Sequence, residues 1–343
     1  MSNHAFRPFL LRNIFAGGED NARLLFAELR WQKTGGKPSC PRCSCTAYYY
    51  VTSRKRFACV ACEHQYTVTS GTAFQSRKMK FCDILACISI MAEAPKGSSS
   101  LSMGRTLGSQ QKSAFVLMHK IREAMRREID SLQLSGEIEL DGGYFLGHLK
   151  QRNHRRNVQG RMQRKFWSGK RRCVIVLRER AGRVKTYVEL TESAGVARAV
   201  ENIASGSTIF ADGARHWNKL AELFEVRRIN HSLAYAIDNH HTNWAESFLA
   251  RLRSMVRGQH HRGSPEHLRE YAAHAAWLEN HRKETHIERV KAIFTLISEQ
   301  RSSDWVGYWQ GASERGQRLA SPKWGTGHSR EFSEKREAWT DNQ

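Results

Sequence analysis

Cys40-Pro-Arg-Cys43 and Cys59-Val-Ala-Cys62 are two CxxC pairs with 15 residues between them. That is the spacing of a four-thiolate zinc site, whose sulfurs take tetrahedral positions about 2.3 Å from the ion. Five of the eight cysteines fall within residues 40–62, which speaks for metal rather than for a secreted disulfide framework. Cys45 competes with Cys43 as a ligand, but only Cys43 completes the two-residue spacing. Strand-like runs at Tyr48–Val51 and Tyr66–Val68 complete the outline of a zinc ribbon over residues 37–72. So small a unit buries little apolar surface, so the Zn²⁺ must supply much of its folding energy. Its basic residues, Arg42, Arg54, Lys55 and Arg56, fit contact with a polyanion or a solvated face.

Residues 1–36 carry one helical segment, DNARLLFAELRW, with Leu24, Leu25, Leu29 and Trp31 as its apolar side. Residues 73–132 also read as helices. After an apolar run from Phe81 to Met91, which takes Cys82 and Cys87 into a core, comes a KGSSS break. A short helix, a turn at Gly108 and a longer helix follow. In the longer one Ala114, Leu117, Met118, Ile121 and Met125 make one buried stripe. The arrangement predicts a helix-turn-helix that presents Gln110, Gln111 and Lys112 to base edges in DNA.

From residue 133 the pattern changes to three strands and then strands alternating with helices. The strands are ELDGGYF, RRCVIVLRER, VKTYVEL, STIFAD and EVRRINH, with helices at about 195–204, 214–224 and 243–257. That order predicts an α/β ribonuclease-H-like domain over 133–300, giving a multidomain chain with the ribbon and helix-turn-helix in front. In EIELDGGYF the period-2 alternation makes a half-buried strand that the Gly142-Gly143 pair ends, leaving Asp141 at its mouth. Asp212 closes a second strand in the same way. Glu246 follows after 33 residues, near the start of an amphipathic helix. Three such acids suit a pair of divalent metals about 3.5–4 Å apart, the arrangement that clamps both oxygens of a phosphoryl transfer. On the same helix Asn243 and Glu246 have capping-box spacing. Ala245, Phe248, Leu249, Leu252, Met255 and Val256 form its buried face, and Asn243, Glu246, Arg253 and Arg257 share the opposite strip.

Charge points to the partner. There are 55 Lys and Arg against 33 Asp and Glu, a net charge of +22, which suits nucleic acid. Within residues 148–172 stand ten Lys and Arg and no acid. Interleaved with Phe166 and Trp167, that loop (Arg155, Arg156, Lys165, Arg171 and Arg172 among it) fits a nucleic-acid strand beside the acids. His240, His241, His260 and His261 lack a ligand spacing and fit phosphate contact or plain surface. No apolar run is long enough to cross a membrane and no signal pattern opens the chain, so a cytoplasmic, nucleoid-associated protein is expected. Residues 301–343 read as a loose polar tail.

Taken in order, the CxxC…CxxC ribbon, the helix pair ending in HKIREAM, and then ELDGGYFLG, FADGARHW, HHTNWAESFLARLR and GQHHRGSPEHLREY resemble the zinc-ribbon transposases of prokaryotic insertion sequences. The resemblance covers roughly residues 20–285. It implies a DDE-type catalytic domain with Asp141, Asp212 and Glu246 as the acidic triad, holding Mg²⁺ or Mn²⁺. Relatives commonly carry lysine seven residues after the glutamate, where this chain has Arg253, a planar fork in place of a point charge. The resemblance also gives Asn243 a share in the third acid's role. It implies binding of terminal inverted repeats, cleavage and strand transfer into target DNA, and a dimer or larger assembly. The alternatives are a non-catalytic DNA-binding regulator and a nuclease without strand transfer.

Overall fold

The computed structural model describes residues 10–145, 171–180, 182–229, 241–260, 264–300 and 302–310. Residues 1–145 and 172–303 form one unit, and 146–171 with 304–343 another. Arg155, Arg156, Lys165, Phe166, Trp167, His240 and His261 lie outside the described residues, as does the tail beyond 310. In the second unit the start of the predicted tail is ordered around rings. Trp305 and Tyr308 lie 4.6 Å apart, and Tyr308 and Trp309 5.0 Å.

Two helices open the first unit, α1 (Leu11–Ala16) and α2 (Gly18–Arg30). The inward stripe of α2 is Ala22, Phe26 and Leu29. Leu24, expected inside, is 60% exposed. The helix is turned to bury the larger Phe26 ring, which meets Phe81 and Phe294 edge-on at 5.1 and 5.0 Å.

The ribbon that follows has three antiparallel strands, β1 (Tyr48–Val51), β2 (Arg56–Cys59) and β3 (Gln65–Tyr66), in that order. Its small core is one ring, Phe57, within 5.1–5.4 Å of Trp31, Tyr48, Tyr50 and Tyr66. The last strand is shorter than the Tyr66–Val68 alternation suggests. Arg30 takes the carbonyls of Thr67, Val68 and Ser70, and Ser70 Oγ takes the Thr67 N–H at 2.9 Å, so the ladder stops.

Three helices lead to the second sheet: α3 (Phe81–Glu93), α4 (Ser100–Thr106) and α5 (Gln111–Ser131). Cys82 and Cys87 are buried in α3 as expected. The turn between α4 and α5 has Gly108 at φ +61°, a left-handed position that glycine takes without strain. The whole predicted stripe of α5 is buried, along with His119, Arg122 and Glu123.

Five strands then make a mixed sheet: β4 (Glu137–Phe145), β5 (Arg172–Glu179), β6 (Val184–Glu189), β7 (Thr208–Asp212) and β8 (Glu225–Ile229), in the order β6-β5-β4-β7-β8. The first three pair antiparallel, while β7 joins β4 in parallel and β8 joins β7 in parallel. The helix α6 (Gly195–Asn202) and a 3₁₀ segment, Arg215–Glu222, cover one face. Where the hydrophobic pattern of 214–224 suggests an ordinary helix, the structure has this tighter turn, which lets both Trp217 and Leu220 enter the core. Over the other face lie α7 (Asn243–Gln259), against β4 and β5, and α8 (Leu268–Asn280), against β6. A last helix, α9 (His286–Glu299), turns back onto α2, α3 and α5.

Candidate active site

β4 runs straight through Gly142 and Gly143 to Phe145. The glycines do not end the strand, and Asp141 lies within it rather than at its mouth. They are there for room. A Cβ on Gly142 would sit 2.5 Å from Glu192 Oε1, and one on Gly143 would sit 2.8 Å from Leu249 Cδ2 and 3.0 Å from Arg253 Nη2. The strand therefore passes closely between Glu192 on one side and α7 on the other.

Parallel pairing brings the two aspartates together. Leu140 stands opposite Ala211 in the last pair between β4 and β7, so Asp141 and Asp212 each follow that pair on neighbouring strands. Asp212 is held from below: its Oδ1 accepts from the Trp217 indole N–H at 2.9 Å and the Ala214 N–H at 3.1 Å. Asp141 Oδ1 accepts the Gly142 N–H at 2.8 Å. Burial pushes the Asp141 carboxyl up to about 6; the Gly142 N–H opposes this, the charges of Glu246 and Asp212 add to it, and Arg253 opposes it. The three expected acids thus act on one another. A fourth, Glu192, joins them: burial pushes it up to about 7, with Asp212 and Asp141 adding.

Glu246 is exposed in the first turn of α7, and Thr242 Oγ1 donates to its Oε1 at 3.1 Å. The predicted buried face of α7 is buried in full. The capping-box reading fails, because Asn243 lies inside the helix, Thr242 is the N-cap, and neither caps it by side chain. The cap comes from Glu139, whose carboxylate accepts the N–H groups of Trp244 and Ala245 at 2.9 and 3.0 Å. Asn243 is exposed one turn before Glu246. Arg253 is half-buried, its guanidinium 5.7 Å from the Phe145 ring.

Sequence reasoning passed over Glu139, Glu192 and Trp217. The signal for Glu139 was present, since alternation put it on the same face as Asp141. Trp217 and Glu192 come from segments whose placement only the folded sheet decides. Two histidines are also not plain surface. His241 Nδ1 lies 3.0 Å from Glu139, and His260 is buried and stacked on Tyr271 at 3.9 Å.

The two divalent ions expected at the acids can be tested against their spacing. Among the described residues, only Cys40, Cys43, Cys59 and Cys62 form a group whose ligand atoms all lie within 4.8 Å of one another. The acids are spread wider than one ion would draw them. Two ions about 3.5–4 Å apart would draw on a wider set of carboxylates than one ion does. Carboxylates whose charges push Asp141 and Glu192 up are a surplus of negative charge, which suits cations.

In the ribbon, Sγ of Cys40 and Cys62 are 3.6 Å apart and those of Cys43 and Cys59 3.5 Å. Thiolates about 2.3 Å from one ion would lie about 3.8 Å apart. The two pairs are built alike. Cys40 N donates to Cys45 O and Ser44 N to Cys40 O; Cys59 N donates to His64 O and Glu63 N to Cys59 O. Ser44 and Glu63 both adopt positive φ, 61° and 57°. Cys45 faces away, its Sγ accepting from Ala47 N at 3.4 Å. This is a four-cysteine zinc site.

Beside the ribbon lies a groove of about 600 Å³ lined by Arg23, Arg54, Lys55, Arg56 and Arg77. Gln110, Gln111 and Lys112 are exposed at the start of α5, with Gln111 Nε2 donating to Ser100 Oγ at 3.0 Å. Arg172 opens β5. No helix among the described residues is long and apolar enough to cross a membrane.

Residues 17–65 match the transposase zinc-ribbon domain, and residues 133–280 match the ISXO2-like transposase domain. No curated protein and no solved structure matches the chain. Its four-cysteine site lies within or at the edge of the first match, all the acids lie within the second, and the chain belongs to the zinc-ribbon DDE transposases of insertion sequences.

Proposed function

We propose that the protein cuts and rejoins DNA at the ends of its own element, with Asp141, Asp212 and Glu246 holding two Mg²⁺ or Mn²⁺ ions. The observation that carries this reading is the parallel β4–β7 register, which runs up to the residues before Asp141 and Asp212, together with the charges of Glu246 and Asp212 acting on the Asp141 carboxyl. The sheet order, three antiparallel strands followed by two parallel ones, supports a ribonuclease-H-like assignment. The bound ions would lower the pKa of water and neutralise charge on the phosphate. Asp212, its Oδ1 held by Trp217 and Ala214, would offer Oδ2 to an ion. Arg253 brings positive charge against Asp141 and to where a phosphate would lie, and Asn243 offers an amide one turn from Glu246.

Gln110, Gln111 and Lys112 would read the terminal repeats, and the basic groove of the ribbon would hold their backbone. Arg155, Arg156, Lys165, Arg171 and Arg172 would add positive charge for the DNA backbone. Joining two ends calls for a dimer or larger assembly, acting in the cytoplasm on the nucleoid.

The test is labelled element-end DNA incubated with Mg²⁺, in which nicked and joined products are expected. Cleavage without joining would make the protein a nuclease, and binding without cleavage a regulator. Asp141→Ala should abolish cleavage and leave DNA affinity within about threefold, since one acid contributes little to a contact made by phosphate-binding cations.

A further inference from the structure

We propose that Glu139 is the positioning residue of the third acid: its buried carboxylate fixes the first turn of α7, and so Glu246, against the two aspartates. The proposal rests on the reading of Asp141, Asp212 and Glu246 as metal-holding acids.

Glu139 is fully buried. One oxygen accepts the N–H groups of Trp244 and Ala245, and the other lies 3.3 Å from Arg180 Nε and 3.0 Å from His241 Nδ1. Helix starts leave N–H groups without partners and carry partial positive charge, so an anion there fixes position as well as polarity. Thr242, the N-cap, gives no such bond itself and turns its hydroxyl to Glu246.

Glu139 is two residues before Asp141, and Trp244 two residues before Glu246. Arg180, paired with Glu139, lies 3.6 Å over the ring of Phe210, which is two residues before Asp212 and opposite Glu139 in the β4–β7 register. Along the strands, two residues are one pleat repeat, about 6.6 Å. The cluster is thus a layer directly beneath the acids, joining the three elements that carry them. Arg180 closes it by donating to His241 O at 3.1 Å. A second ion cluster holds α7 further along, where Glu279 takes Arg178 at 2.8 Å and Arg251 at 3.2 Å. A buried ion pair is a poor source of stability compared with apolar packing. What it provides here is one allowed placement of the helix.

Glutamine at 139 cannot replace the carboxylate. Whichever way its amide turns, the NH₂ faces donors, either the two backbone N–H groups or the Arg180 guanidinium. The experiment compares wild type, Glu139→Gln and Glu139→Asp, with Glu128→Gln as a control. Glu128 is also a carboxylate between an indole N–H and a histidine, Trp277 and His281, both at 2.9 Å. Two quantities are read: the Mn²⁺ concentration giving half the thermal shift of the DNA-free protein, and the Mn²⁺ concentration giving half-maximal cleavage.

For Glu139→Gln both midpoints should rise about ten- to hundredfold, the range for residues that orient metal ligands, with DNA affinity within about twofold. Glu139→Asp, charged but one methylene short, should fall between. Glu128→Gln should lose stability with both midpoints unchanged. A wild-type midpoint in Glu139→Gln, or an equal rise in Glu128→Gln, overturns the proposal. If Glu139→Gln does not fold, Glu139→Asp decides, and a wild-type midpoint there is the contrary result. Wild type that neither cuts nor responds to Mn²⁺ would instead overturn the functional reading beneath it.

Discussion

Single atoms decide the geometry at Gly143. Its missing Cβ is the gap through which Leu249 and Arg253 approach β4. Gly143→Ala should push α7 outward and reduce cleavage at least about tenfold, since small displacements of catalytic groups are costly. DNA binding, measured by fluorescence anisotropy, should stay near wild type. Trp217→Phe keeps the buried ring but removes the N–H that holds Asp212 Oδ1. We expect a fall in turnover of about tenfold, with melting temperature reduced by a few degrees for one lost hydrogen bond to a charged group. The aspartates and the glutamate were legible in the sequence because each follows or opens a recognisable periodic run. Their supports were not: Trp217 reads as core, and Glu192 as one surface acid among 33.

At the scale of elements, two helix starts show what local rules miss. Neither α3 nor α7 carries a cap of its own. Glu19 in α2 accepts the N–H groups of Phe81 and Cys82, at 2.9 and 3.2 Å, as Glu139 does for α7. Caps supplied from 62 and 105 residues away cannot be found by reading the neighbours of a helix, and so the Asn243–Glu246 spacing misled. By contrast α9 has a complete local capping box, Thr285 with Glu288. The ribbon was the most legible element, because its ligand spacing is fixed by the metal rather than by distant packing. Cys59→Ser should abolish zinc retention, measured by atomic absorption, and weaken DNA binding at least about tenfold, because metal binding is folding energy for so small a sheet.

For the molecule as a whole, the order of strands and helices could be read from hydrophobic period, but the sheet's order across its width could not. That depends on which strands pair in parallel. Two bulk measurements follow from its charges. If the basic surface grips phosphate, the logarithm of affinity should fall with log salt by about 0.9 for each phosphate contacted; a flat response would contradict the DNA interface. Acid should also loosen the fold. His274 is fully buried, and burial, aided by the charge of Arg122, lowers its pKa to about 3. An imidazole depressed in the folded state stabilises above its unfolded pKa of about 6.5, and that contribution is lost as pH falls towards 3, by up to about 1.4 kcal/mol per pH unit. Urea midpoints should therefore be level near pH 7 and decline below about 6, less steeply in His274→Leu.

The return of α9 to the front of the chain has a consequence for biosynthesis. Phe294 meets Phe26 edge-on, Ile297 O accepts from Ala73 N, Glu299 pairs with Lys33, and Arg289 donates to Ala92 O. While the ribosome is still translating, the helices around the ribbon lack one wall of their core until residues 286–299 emerge. A nascent polypeptide stalled before that point would expose Phe26 and Phe81 to water, and quality-control proteases would meet an unfinished transposase rather than a free-standing DNA-binding fragment.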